Sequence, residues 1–157
     1  MDPVVIPQVV AQILSTMAML GCLTLAPLNQ LTQFQEPPAA WEPAAADVAL
    51  ISRTIWGEVR GCTVEEQRAQ AWCILNRVDD PRFPSTVQGV VTARYQFQGY
   101  SESNPEEPFH DLAREILILW HSGEREIPQD MVYCSGDGVH QTFRNTWERT
   151  EETRYWP

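Results

Sequence analysis

The stretch from Pro43 to Val78 constrains this chain more than any other. "PAAADVALISRTIWGEVRG" sets apolar residues at helical spacing, and Gly61 stands where a glycine just past a helix end is usual. The spacing predicts a helix from about Pro43 to Arg60. "TVEE" at 63–66 follows at once and is a capping box, in which the Thr63 hydroxyl accepts from the Glu66 amide while Glu66 reaches back. It opens a second helix that runs to about Val78 and stops before Pro81. "STVQ" at 85–88 repeats the capping logic for a short third helix. From about Pro105 to Ser122 a fourth carries Phe109, Leu112, Ala113, Ile116, Leu117 and Trp120 at amphipathic spacing. "MVYCS" at 131–135 reads as a strand before the Gly136-Asp137-Gly138 turn. The expected fold class is α+β, mainly helical, with a small β element and a loop-rich stretch over 93–105.

Glu58 breaks the pattern of the first helix. Ile51, Ile55 and Glu58 fall in one sector of the helix, with Val48 and Val59 flanking it and Arg53 and Arg60 on the opposite side. A carboxylate on a stripe that should meet the core must find donors or hold its proton. A position one turn from a helix C-terminus pushes the same way. Two readings follow from the residues alone. Glu58 is a proton-holding general acid, as glycosidic cleavage requires, or a structural carboxylate paired with an arginine such as Arg68 or Arg77.

The chain has 157 residues, enough for one domain with a real core. Its 21 acidic residues against 11 basic give a formal charge of −10, and every basic side chain is arginine. That balance, without a basic run, excludes nucleic acid as the expected partner. Cys22, Cys62, Cys73 and Cys134 show no C-x-x-C spacing and no accompanying histidine pair, so neither a zinc site nor any other metal or cofactor is expected. Cys73 reads as a small core residue, and a Cys62–Cys134 bridge is left open. Residues 1–34 form a hydrophobic segment, uncharged from Pro3 to Gln35, which reads as an anchor, a signal or a packed helix. "MLGC" at 19–22 resembles a lipoprotein lipidation box, and membrane contact through residues 4–34 is part of that reading. Residues 35–46 are a Pro/Ala-rich linker, and 47–157 form the main domain.

"TIWGEVRGCTVEEQRAQAWCILNRVDDPRFPSTVQGVV" resembles the signature of the SleB-like cell-wall hydrolases, the spore-cortex-lytic type. The matching residues are Gly57, Glu58, Arg60, Gly61, Glu66, Gln67, Leu75, Asn76, Arg77, Pro81, Arg82, Phe83, Pro84, Thr86, Val87, Gly89 and Val90. The match continues more weakly through "YQFQGY" and "MVYCSGDG" and covers about residues 47–143. Tyr133 fits the family's aromatic segment, whereas Cys134 to Gly138 depart from it, and "VHQTF" only echoes the family's closing G-x-H-x-F.

The resemblance implies a lysozyme-like fold acting on peptidoglycan glycan strands, between N-acetylmuramic acid and N-acetylglucosamine. It assigns the catalytic acid to Glu58. No second carboxylate matches as a nucleophile, since Glu65, Glu66, Asp79 and Asp80 read as helix-end and surface charges. The implied reaction is lytic transglycosylation, with Glu58 as acid and then base. Muramidase-type hydrolysis and a non-catalytic wall-binding or virion structural domain are the alternatives. Gln96, Phe97 and Tyr133 are the expected sugar-positioning residues. His140 reads as structural or surface, Asp137 as a turn residue, and the expected location is the cell wall or outside the cell.

Overall fold

In a computed structural model the described residues are 41–149, with the backbone of 154 and 155. The expectations for residues 1–34 and for 35–40 of the linker lie outside them. The elements are α1 (Ala45–Val59), α2 (Val64–Asp79), α3 (Val87–Val91), a 3₁₀ turn (Glu107–Phe109), α4 (His110–Ser122), β1 (Tyr133–Gly136), β2 (Gln141–Arg144) and β3 (Arg154–Tyr155). The domain is α+β and mainly helical, with one small antiparallel sheet in the order β1-β2-β3. In β1 and β2, Tyr133 pairs with Arg144 and Gly136 with Gln141.

α1 packs against α2, α3 and α4 at the centre of the domain. Its stripe of Val48, Ile51, Ile55 and Val59 is buried, as the periodicity requires. Arg53 pairs with Glu106 on the other side. α2 starts on the predicted capping box, with Glu66 N donating to Thr63 Oγ1 at 3.2 Å and Thr63 N to Glu66 Oε2 at 2.9 Å. Trp72, wholly buried on this helix, donates its Nε1 proton to Glu126 Oε2 at 2.8 Å.

Three boundaries differ from the expected ones, each for a local reason. Gly61 does not adopt the left-handed conformation of a helix-ending glycine; among the described glycines only Gly123 and Gly138 have positive φ. The buried amide of Gln67 instead holds the turn that follows α1, donating to Cys62 O at 3.0 Å and more weakly to Arg60 O and Val59 O. α4 begins at His110 rather than near Pro105, because Pro108 lies in a separate 3₁₀ turn. β1 starts at Tyr133 rather than Met131, since α2 captures the carbonyls just before it. Asn76 Nδ2 donates to Pro128 O and Met131 O, and Arg77 Nε donates to Val132 O at 2.6 Å.

Candidate active site

Glu58 sits in the last turn of α1, half-buried, where the apolar stripe runs out into a cleft of about 320 Å³. Its helix meets the 92–100 loop backbone to backbone. A Cβ on Gly57 would overlap the Gly99 carbonyl, and one on Gly99 would overlap the Gly57 carbonyl. That closeness, which glycine alone permits, lets Gly99 N donate to Glu58 Oε1 at 2.6 Å. Asn104 Nδ2 ties the same place together, donating to Gly99 O at 2.8 Å and Arg53 O at 3.1 Å. Neither Arg68 nor Arg77 pairs with Glu58. Arg68 binds Glu115 and Glu126, and Arg77 binds Val132 O and Gln96 Oε1.

The far wall of the cleft is the β1–β2 hairpin, which contributes Gly136, Gly138, His140 and Gln141; Arg60, Gly61 and Cys62 complete the near side. The hairpin is anchored on α2 through Glu66, whose Oε1 accepts from Gln141 N at 2.7 Å and lies 3.3 Å from His140 Nδ1. Burial would push the Glu66 carboxyl up. The Gln141 and Thr63 amides, the Thr63 hydroxyl and the His140 imidazole outweigh it and hold the group below its ordinary 4.5. Gln141 Nε2 also donates to Gln70 Oε1 at 3.0 Å, inside the domain. Asp137, as expected of a turn residue, accepts from Val139 N and His140 N. Glu58 is the one carboxylate lining this cleft among the described residues.

The other candidate residues stand apart from it. Gln96 Oε1 accepts from Arg77 Nη1 at 2.9 Å. Phe97 is buried with the Arg77 guanidinium 4.8 Å above its ring. Both line a second cavity on the outer side of the 92–100 loop. Tyr133 stands edge-on to Phe83 and Trp147, at 6.2 and 5.9 Å between ring centres. Of the residues that share the cleft with Glu58, Gly57, Arg60 and Gly61 belong to the matching signature, whereas the sequence reads His140 as structural or surface and gives Gln141 no role. The signal for these two was the echoed "VHQTF".

Cys62, Cys73 and Cys134 are free thiols, so the Cys62–Cys134 bridge is not formed. Cys134 lies instead beside Cys73. The Cys73 thiol hydrogen-bonded to it lowers the Cys134 thiol to about 7 against burial, with help from Arg77 and Gln70. Among the described residues no cluster of His, Cys, Asp and Glu is arranged to hold a metal ion.

The cell wall hydrolase family profile matches residues 61–155, more than half of the chain. The chain belongs to the cell wall hydrolase family. It is 33% identical over 91 residues to the spore cortex-lytic enzyme of Bacillus subtilis (strain 168), covering 58% of this chain and 30% of that protein. The spore cortex-lytic enzymes of Oceanobacillus iheyensis and Halalkalibacterium halodurans are 35% and 33% identical over 72 residues. Each match covers 46% of this chain, with 26% and 22% of the respective relatives. The chain thus spans less than a third of the length of these curated relatives. No solved structure matches it.

The family match begins at Gly61, just past Glu58, and takes in the motifs whose work the fold explains. In this member of the family, L-N-R serves as a clamp. Asn76 and Arg77 hold the segment 128–132 on α2, while Arg77 also holds Gln96 and lies 5.3 Å from the centre of the Phe83 ring of P-R-F-P. A buried guanidinium served by carbonyls and aromatic faces suits Arg rather than Lys, because its planar donors fork in fixed directions.

Proposed function

We propose that this domain cleaves the glycan strand of peptidoglycan between N-acetylmuramic acid and N-acetylglucosamine as a lytic transglycosylase, with Glu58 as both acid and base. The observation that carries this reading is that Glu58 is the one carboxylate lining its cleft among the described residues. A two-carboxylate glycosidase needs a second acid across the scissile bond. Glu66, the nearest alternative in the hairpin anchor, has both oxygens engaged by Thr63 N and Gln141 N.

The Gly99 amide fixes Oε1 and leaves Oε2 without a hydrogen bond to the described residues, so Oε2 is the oxygen that carries the proton. Glu58 gives that proton to the glycosidic oxygen as the bond from muramoyl C1 breaks. The carboxylate so formed takes the proton of the muramoyl 6-hydroxyl, whose oxygen closes on C1. The product is a 1,6-anhydro end, no water is consumed, and Glu58 returns to its starting state. Arg60 and His140 line the same cleft and offer donors to acetamido and hydroxyl groups. The family membership and the similarity to spore cortex-lytic enzymes support the substrate class. An exported or wall-associated location follows from that substrate.

Glu58→Gln tests the reading. The variant should keep its melting temperature and lose release of soluble muropeptides from isolated walls by about two to four orders of magnitude. Mass spectrometry of the active chain's products should show anhydro ends, lighter by one water than reducing ends. Near-normal lysis by Glu58→Gln would remove Glu58 as the acid. Reducing ends alone would reassign the domain to hydrolysis, and no release by the unsubstituted chain would leave a wall-binding domain.

A further inference from the structure

The loop that holds Glu58 through Gly99 carries a second feature on its outer side, one that the acid does not use. Tyr95 has φ +65°, the one non-glycine residue in the left-handed region among the described residues. A bulky side chain there is held against a steric penalty, and such strain collects where a side chain must be presented in one direction. The ring is not turned to the core, for Tyr95 is 72% exposed. One side of it carries the Arg94 guanidinium, 4.5 Å from the ring centre. No other aromatic ring or cation among the described residues stacks on it.

Arg94 adds a charge argument. Arg68, Arg82, Arg114 and Arg125 each hold a carboxylate. Arg94 makes no hydrogen bond or ion pair with the described residues, in a chain of net charge −10. An aromatic ring, a cation without a carboxylate and the amide of Gln98 therefore line one cavity of about 570 Å³, together with Tyr100 and Val91.

We propose that this cavity is a second subsite for the glycan strand, specific for a saccharide that bears a carboxylate. The apolar face of a sugar ring stacks on Tyr95, Gln98 bonds its hydroxyl or acetamido groups, and Arg94 pairs with a carboxylate of the attached peptide stem. The proposal rests on the reading of the domain as peptidoglycan-cleaving. It places the second contact on the same loop that fixes the acid, so a strand seated on Tyr95 meets a loop already locked to α1 by Gly99 and Asn104.

Binding of the full chain carrying Glu58→Gln to isolated sacculi, read by co-sedimentation, tests it without cleavage during the measurement. Tyr95→Ala and Arg94→Ala in that background should each weaken binding about tenfold, roughly 1.4 kcal/mol. Tyr95→Trp should retain it. Tyr95→Gly removes the ring while relieving the backbone, so its melting temperature should hold or rise as its binding falls. The Arg94→Ala loss should shrink on sacculi whose stem carboxylates have been converted to amides with carbodiimide and methylamine. In the active chain, the Tyr95→Ala and Arg94→Ala substitutions should raise KM more than they lower kcat. Unchanged sedimentation of both alanine variants would overturn the subsite and leave the Glu58 reading standing. Failure of the folded Glu58→Gln parent to sediment would instead overturn the peptidoglycan reading itself.

Discussion

Two glycines in contact decide where the Glu58 carboxylate is held. Gly57 and Gly99 each occupy space that a Cβ on the other would need, and the collision is with backbone, which cannot swing aside as a flexible side chain can. Gly99→Ala should therefore push α1 and the 92–100 loop apart and lengthen the Gly99 N to Glu58 Oε1 bond. The expected cost is about 1–3 kcal/mol of stability, as for overpacking elsewhere. Lysis should fall further than the melting temperature alone explains. Gly61, equally part of the motif, has nothing within 4 Å of its would-be Cβ and no positive φ. Gly61→Ala should change stability by no more than about 0.5 kcal/mol. Thermal melts of the two variants beside muropeptide release make the comparison. Equal loss in both would show that the motif glycines serve something other than this contact. A motif letter names a glycine without saying which backbone it must approach, so neither role was legible in the sequence: Gly61 reads as a helix-ending glycine and is not one, and Gly57 reads only as a motif match.

At the scale of elements, α2 organises the site from beneath. Its first turn holds the β1–β2 hairpin through Glu66, and its last turn holds residues 128–132 and the 92–100 loop through Asn76 and Arg77. The Glu66 contribution depends on pH, and its sign is fixed by the direction of the shift. The folded-state carboxyl lies below its ordinary 4.5, so the folded protein prefers the ionised form. The stabilisation is present above about pH 4.5 and is lost as pH falls through the folded value. Urea unfolding across a pH series should show stability dropping on that acid limb, and Glu66→Gln should flatten it. The two proteins should differ by about 1–2 kcal/mol at pH 7 and converge at low pH. Glu126, lowered chiefly by Arg68, leaves part of the slope in the variant. An unaltered acid limb would mean the hairpin is not held by an ionised Glu66. The helices were legible because a 3.6-residue period and a capping box are local signals. β2 was not, since Gln141, Thr142, Phe143 and Arg144 are all buried and show no alternation. The far wall of the cleft went unread with it. Gln141 and His140 take their role from α2, seventy-five positions from Glu66 to Gln141, and no local pattern carries that pairing.

For the molecule as a whole, the open issue is where the folding unit starts. The expected linker, 35–46, reaches into described structure: α1 begins at Ala45, Trp41 stacks on His121 at 3.9 Å, and Glu42 pairs with Arg114 at 2.6 Å. The described core is drawn from Val48 to Phe143, with Ile51, Ile55, Trp72, Ile116 and Phe143 at its centre. We propose that the unit begins at Trp41, and that residues 1–34 are an address or anchor on which folding does not depend. A chain starting at Trp41 should then unfold in one cooperative step and keep full lytic activity on isolated walls. A chain starting at Pro43 should keep that activity too. It loses the Trp41 stack, worth about 0.5–1.5 kcal/mol, and an ion pair too exposed to add much. Its melting temperature should sit on the order of 5 °C lower. Differential scanning calorimetry on both chains and on the full sequence separates the cases. If the Trp41 chain aggregates, or melts far below the full sequence, then residues 1–40 cover core surface. The N-terminal segment would then be a structural part of the domain rather than an attachment to it.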